Sequence, residues 1–282
     1  MTGSSKSVAK IKFSIASFDV GQKIKSSAHF RKRLIALVEK ELRAGSRIVL
    51  LPEYLACALY QVPNFDLEQI SLFIWEVIAH EMQGLSLKYN ALILAGTSPF
   101  YSKGKLFNRA LLWANGEEIF YAKNKLTPWE EQFESGRKVK VFEWQGLKVA
   151  PLICFDSEFP DISLKLKKAG VDLILCPSAT SDLLGSERVH RCASARAVEL
   201  GAAVLVSPLL GRDLKNPLVD INVGKLAVYY PSQEGFSSSS RHRSAFYKSG
   251  DKILKGDIDV AAIRRIKIRD KKSFETKPFL VS

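Results

Sequence analysis

The chain has 282 residues, of which 46% are apolar and 25% charged, a balance that excludes wholesale disorder and collagen-like repetition. No run reaches the ~18 uninterrupted apolar residues a membrane helix needs, and the opening MTGSSKSVAK holds no signal-peptide core, so a cytoplasmic protein with no membrane partner is expected. Lysine and arginine (42) outnumber aspartate and glutamate (29), a net charge of +13 that raises a nucleic-acid reading to be tested against where the charges lie.

In chain order, residues 11–18 alternate in polarity, whereas 47–51, 91–95, 147–153, 171–175 and 203–206 are almost continuously apolar. Such runs predict strands covered on both faces. Between them, residues 26–44 carry Phe30, Leu34, Leu37, Val38 and Leu42 on one helical stripe, and 67–87, 159–169 and 187–200 repeat apolar positions at helical spacing. Pro160 suits the first turn of the third of these helices. Strands alternating with helices predict an α/β class. Around 108–122 and 140–153, strand-like pieces follow each other across Asn115-Gly116 and Gln145-Gly146, which predicts hairpins and therefore mixed sheets. No linker divides the chain. One domain over 1–282 is expected, with a basic C-terminal extension from about residue 262 and a mobile loop at Ser237–Ser240.

Much of the excess charge is local: residues 264–277 hold seven lysines or arginines against Asp270 and Glu275. A solvated edge accounts for such a run. A nucleic-acid surface needs aromatic interleaving or a reader module, and neither is present, so no specific nucleic-acid partner is expected. Cys57, Cys154, Cys176 and Cys192 show no CxxC spacing and the histidines no HxxxH pair, which argues against a metal site and a disulfide framework. GxSxG, GxxxxGK[ST] and GxGxxG are all absent.

Three segments place a reactive residue where an apolar strand ends, the position at which α/β sheets build their sites. In Val49-Leu-Leu-Pro-Glu53-Tyr54 a strand runs through proline into a carboxylate. Such a glutamate is ordinarily a loop residue; desolvated, it becomes a general base. In Phe120-Tyr-Ala-Lys123-Asn-Lys125-Leu-Thr-Pro-Trp-Glu130-Glu131, lysines and glutamates sit among aromatics, and a lysine held there can stabilise an oxyanion. In Val149-Ala-Pro-Leu-Ile-Cys154-Phe-Asp-Ser-Glu-Phe-Pro160, a cysteine closes a strand and opens a helix-like stretch. Lone cysteines are mostly inert packing, which covers Cys57, Cys176 and Cys192; the strand-to-helix junction at Cys154 offers free backbone N–H groups that favour a thiolate.

These segments, in this order, resemble the nitrilase superfamily of carbon–nitrogen hydrolases. The likeness continues through Pro177-Ser-Ala-Thr, Ala195-Arg196-Ala-x-Glu199 and Val-Asp220-Ile-Asn222-x-Gly224, and covers about residues 8–235. It departs at Lys125, where the family often has histidine.

The resemblance implies a four-layer α-β-β-α sandwich with mixed central sheets, no cofactor and no metal, and a homo-oligomer of two or more subunits. By position it makes Glu53 the general base, Lys123 the oxyanion-stabilising cation, Cys154 the nucleophile and Glu130 the assisting glutamate, with Glu131 the neighbouring alternative. Arg196 is expected to pair with Glu199. Phe155, through its backbone N–H, is expected to join the oxyanion site; Tyr54 and Trp129 are expected to line the pocket, and Asp182 and Arg188 either to face it or to cap a loop. The implied reaction cleaves a small non-peptide amide through a thioester, releasing ammonia or an amine. Nitrile hydrolysis, N-carbamoyl hydrolysis and acyl transfer use the same triad, and a catalytically silent scaffold is the non-enzyme alternative.

Overall fold

The computed structural model describes residues 10–233, 236 and 241–269; Ser237–Ser240 and the basic positions after 269 lie outside these. Among the described residues, fourteen strands form two mixed sheets. The first contains β1 (Lys10–Ala16), β3 (Ile48–Leu51), β4 (Leu92–Ser102), β5 (Lys105–Ala114), β6 (Glu117–Glu118) and β14 (Ile253–Asp259), in the order β14-β1-β3-β4-β5-β6. The second follows the path β13-β12-β10-β9-β8-β7, built from β7 (Phe142–Trp144), β8 (Leu147–Pro151), β9 (Leu173–Ser178), β10 (Ala203–Arg212), β12 (Ala227–Tyr229) and β13 (Arg241–Arg243). β2 (Phe18–Asp19) and β11 (Ile221–Asn222) also pair with β10. Parallel pairs β1/β3, β3/β4, β8/β9 and β9/β10 form the sheet centres, and antiparallel pairs the margins.

Period-two alternation explains how strands that read as continuously apolar serve two interfaces. Ile48 and Leu50, Leu92 and Leu94, and Ala110 and Leu112 join the core between the sheets, with Val149, Ile174 and Leu205 of the second sheet. Their neighbours Val49, Leu51, Ile93, Leu111 and Trp113 point the other way, against helices. Those helices are α1 (Ser27–Arg43), whose buried stripe is Phe30, Leu34, Val38 and Leu42, and the run α2 (Leu67–Phe73) and α3 (Ala79–Tyr89). A π-helical turn at Ile74–Ile78 joins the latter two, an interruption that the apolar spacing does not disclose. α4 (Pro160–Ala169) and α5 (Leu183–Leu200) cover the second sheet through Ile162, Leu166, Val189, Ala193 and Ala197. α5 starts four residues before the expected Glu187, because the Asp182 side chain accepts the Gly185 N–H and caps it there. The layering is α-β-β-α.

The C-terminal segment is used differently from the solvated run expected of it. β14 pairs with β1 along its whole length, and α6 (Val260–Arg269) buries Val260, Ala262, Ile263 and Ile266. Its cations anchor it: Arg264 donates to the Gly146 carbonyl at 2.6 Å and Lys267 to the Asp172 carboxylate at 2.7 Å. Gly146 and Asp172 precede β8 and β9, so α6 closes the end of the sandwich where these parallel strands begin. Among the described residues no helix is long and apolar enough to cross a membrane.

The opposite end, where β3, β8 and β9 finish, requires one backbone irregularity. The β4/β5 register shifts between Leu94 and Thr97, and Gly96 sits inside the bulge at φ +83°. A Cβ there would stand 2.2 Å from the Leu55 side chain and 2.3 Å from the Pro52 carbonyl. The bulge brings the end of β3 onto β4 and presents Thr97 Oγ1 to the Tyr54 N–H at 2.9 Å. Gly96→Ala is expected to destabilise the fold by about 2–4 kcal/mol, from overpacking added to an unfavourable φ. A thermal melt should show Tm lower by several degrees; an unchanged Tm would refute this account of the bulge.

Candidate active site

β3 runs out through Pro52 into Glu53, whose side chain is fully buried. Tyr54 then takes a left-handed φ of +55°, turning the chain at once. Glu53 is saturated: Oε1 accepts Lys123 Nζ at 2.8 Å and Asn108 Nδ2 at 2.9 Å, and Oε2 accepts the Ala179 N–H at 3.0 Å. Lys123 follows β6 on an extended stretch fastened to β5 by its own N–H on the Asn108 carbonyl at 2.9 Å.

The Lys123 ammonium also donates to Glu130 Oε2 at 2.8 Å. Glu130 ends a 3-10 turn, Pro128–Glu130. Its Oε2 accepts the N–H and the hydroxyl of Thr127, both at 2.8 Å, and its Oε1 accepts the Tyr54 hydroxyl at 2.5 Å. One buried cation therefore stands between two buried carboxylates, all three side chains being 0% exposed.

Cys154 lies three residues past β8, on the first residue of a 3-10 turn (Cys154–Glu158) at φ +45°. A non-glycine residue in this region costs about 1–3 kcal/mol, and such positions gather at functional sites. The turn lifts the thiol out of the strand, where Sγ lies 3.7 Å from the Ala179 carbonyl. Ala179, just past β9, thus touches both the nucleophile candidate and, through its N–H, the Glu53 carboxylate. Phe155 is the second residue of the turn, where a helical N–H has no partner within its own helix.

Asp156 fastens the Cys154 turn to the lysine segment. Its carboxylate accepts the Tyr121 hydroxyl at 2.6 Å and the N–H groups of Asn124, Lys125 and Ile153 at 3.0, 2.7 and 3.2 Å. Burial pushes its pKa up to about 6 against those donors. Lys125 itself turns away, reaching Asp161 at 3.1 Å and lying over the Phe159 ring.

Charge settles unevenly in this cluster. Burial raises Glu53 to about 7, although Lys123 pulls it down. Burial works against the Lys123 ammonium too, yet Glu53 and Glu130 outweigh it and hold its pKa above the usual lysine range. Glu130 is also penalised by burial, but Lys123, Thr127 and Tyr54 keep it below the ordinary carboxylate range. The Cys154 thiol is pushed well up, first by burial and then by the Glu53 charge. The arrangement therefore holds a protonated thiol, a permanent ammonium, a permanent carboxylate at Glu130, and at Glu53 a carboxylate that exchanges its proton near neutrality.

A cavity of 450 Å³ opens over Cys154 and Lys123. Phe155, Trp129, Asp182 and Arg188 line it, as does the loop 214–222. Asp182 both lines the cavity and caps α5, and Arg188 reaches Glu158 at 3.3 Å. Two expectations are corrected. Glu131 is solvent-exposed and takes no part, because the turn that buries Glu130 points its neighbour outward. Tyr54 is fully buried behind Glu130 and does not line the cavity. Arg196 meets Glu199 at 2.7 Å and also donates to the Ser157 carbonyl, tying α5 to the Cys154 turn. Asn108, Thr127, Asp156 and Ala179 carry much of the site and were not singled out from the sequence. Thr127, Asp156 and Ala179 fall inside the motif segments, whereas Asn108 lies outside them and shows only as an amide within a strand. Cys57 and Cys176 are buried, with pKa values raised by burial. Among the described residues, no three His, Cys, Asp or Glu side chains gather as a metal-ligating group.

The chain is similar to several known proteins. Probable hydrolase YhcX of Bacillus subtilis is 26% identical over 92% of this chain and 52% of its own length. Deaminated glutathione amidase of Synechocystis is 29% identical over 58% of this chain and 65% of its own length. The chain thus spans about half of the first relative and under two thirds of the second. The crystal structure of Saccharomyces cerevisiae Nit3, a member of branch 10 of the nitrilase superfamily, superposes with a TM-score of 0.71 at 18% identity, covering 93% of this chain and 94% of Nit3. At that identity the likeness establishes the fold. The carbon–nitrogen hydrolase sequence profile matches residues 14–227, and the chain belongs to that family.

Proposed function

We propose that this protein is a cysteine-dependent hydrolase that cleaves a small non-peptide amide through a thioester acyl-enzyme, with release of ammonia or an amine. The observation that carries the reading is the hydrogen-bonded Glu53–Lys123–Glu130 chain, buried beneath a cavity that has Cys154 at its floor.

Each part has a physical role. The high thiol pKa means Cys154 needs a base, and Glu53, at about 7, accepts a proton near neutral pH. As Sγ bonds to the amide carbon, the C=O electrons move onto oxygen. The Lys123 ammonium and the Phe155 N–H stabilise that charge. Glu53 returns its proton to the departing nitrogen as the C–N bond breaks, leaving the thioester. Water then loses a proton to Glu53, adds to the thioester carbon, and expels the thiolate, which recovers its proton. Glu130 keeps Lys123 charged and aimed; its oxygens are filled by Lys123, Thr127 and Tyr54.

Cys154→Ala should fold with an unchanged melt and release no ammonia from any amide, carbamoyl compound or nitrile in a substrate panel. Mass spectrometry of the native protein with a slow amide should find the acyl group on the peptide containing Cys154; acylation at Cys57, Cys176 or Cys192 would refute the assignment. For Lys123→Ala the expected rate loss is about a hundredfold or more. The same change leaves Glu53 and Glu130 facing each other unneutralised and should cost about 3–5 kcal/mol of stability in denaturant melts.

The pH profile follows from the sign of the Glu53 shift. A base must be unprotonated, so kcat/KM should be low below neutrality and rise through about pH 7 as Glu53 loses its proton. Lys123, with its raised pKa, contributes no fall on the alkaline side while the fold persists. A profile rising near the ordinary glutamate pKa of about 4.3 would contradict the desolvated base.

A further inference from the structure

One neutral group sits among the buried charges. Asn108 lies on β5, opposite Pro99 of β4, and is fully buried. Its backbone carbonyl accepts the Lys123 N–H at 2.9 Å. Its side-chain nitrogen Nδ2 donates to Glu53 Oε1 at 2.9 Å and to Glu130 Oε1 at 3.3 Å. One residue thus touches all three charged members of the cluster. Among the described residues, only Lys123 also bonds to both glutamates.

An amide is a chemically specific choice at this point. Lys123 neutralises one of the two carboxylates and leaves one negative charge. A second cation would hold both glutamates ionised, and an apolar residue would leave each carboxylate one hydrogen bond short. A primary amide supplies two hydrogens and adds no charge. Its orientation is forced, because turning it would set Oδ1 against two carboxylate oxygens. Oδ1 is buried and has no hydrogen-bond partner among the described residues, a stability cost that packing does not require. The strand holds the amide in place. Arg109, pointing to the opposite face, has its guanidinium 4.0 Å from the Trp75 ring centroid and 4.4 Å from those of Phe100 and Phe120. A slip of β5 by one residue would exchange the two faces and break both sets of contacts.

We infer, on the footing of the amidase reading above, that Asn108 is a positioning residue for the reaction, its amide holding Glu53 and Glu130 together at Lys123 and acting on the substrate only through Glu53. The hydrogen bond favours the charged form of the base. Burial raises Glu53 to about 7, and Lys123 and Asn108 limit that rise, so without the amide Glu53 should keep its proton to higher pH. The titratable groups facing Glu53 are Lys123, Glu130, Tyr54, Cys57, Cys154 and Cys176. Burial keeps the phenol and the three thiols protonated at neutral pH, while Lys123 stays charged and Glu130 ionised, so the change near neutrality belongs to Glu53.

The test uses the full chain with Asn108→Leu, which keeps the approximate size and removes the donor, and with Asn108→Thr, whose hydroxyl gives one hydrogen where the amide gives two. The carboxyl resonance of Glu53, in protein carrying carbon-13 in its glutamates and assigned by its loss in Glu53→Gln, is followed across pH; Asp156 carries no label. Asn108→Leu should move the Glu53 midpoint up by about one pH unit, and Asn108→Thr by less. In kcat/KM the leucine variant should be about tenfold slower near pH 6 yet within about threefold of the unaltered protein near pH 9, where the base is ionised in both. Glu53 keeps its bonds to Lys123 and Ala179 there and stays aimed. A midpoint that stays or falls, a loss of activity equal at both pH values, or failure of both variants to fold by circular dichroism would each overturn the inference. The titration needs no substrate. A Glu53 midpoint moved by Asn108→Leu in a protein that releases no ammonia from any amide would overturn the hydrolase reading and leave the hold of Asn108 on Glu53 standing.

Discussion

A single lysine ammonium, removed entirely from water, organises one end of this molecule. Isolated in an apolar interior, such a charge would be lost to a depressed pKa. Lys123 keeps its proton because Glu53 and Glu130 each lie 2.8 Å away. Two carboxylates around one cation leave one negative charge in excess, and that excess has to be shared. Glu130 retains its charge through Thr127 and Tyr54, so the proton affinity collects on Glu53. A glutamate that titrates near neutrality follows first from the complete burial of Glu53, which the pull of Lys123 only partly offsets.

Holding that cluster constrains the backbone around it. The three groups come from the end of β3, the stretch after β6, and a turn seven residues further on, and the thiol from the end of β8 in the other sheet. Their meeting depends on left-handed turns at Tyr54 and Cys154 and on the bulge at Gly96, which brings the two strands close enough for Thr97 to hold Tyr54. Asp156 then couples the Cys154 turn to the lysine segment through three hydrogen bonds, so neither shifts alone. At the far end of the sandwich α6 seals the starts of β8 and β9, with its basic side chains serving as anchors on carbonyls and on Asp172. The strands that carry the site are thereby secured at both ends.

Local patterning was a reliable guide wherever one periodic signal dominated. Apolar strands, the α1 stripe and the hairpin turns appear where the side-chain periods place them, because burial on both faces leaves few alternatives. It failed where a tertiary contact decided the outcome. The basic C-terminal run reads as solvated, yet its first turns pack on the body through Ile263 and Ile266. The apolar spacing of 67–87 gives no sign of the π-helical turn, and α5 begins at its Asp182 cap rather than at the first strong apolar repeat. Tyr54 reads as a pocket wall and proves to be a hydrogen-bond donor behind Glu130, a role that depends on a φ no composition reveals.

From the chain of residues alone came the candidates Glu53, Lys123 and Cys154, through three short segments that resemble those of one family. What folding alone decided was which glutamate, 130 or 131, faces Lys123, and which amide and backbone groups complete the shell. Adjacent residues on a 3-10 turn point in different directions, and hydrogen bonds between positions as far apart as 53 and 179 leave no trace in local sequence.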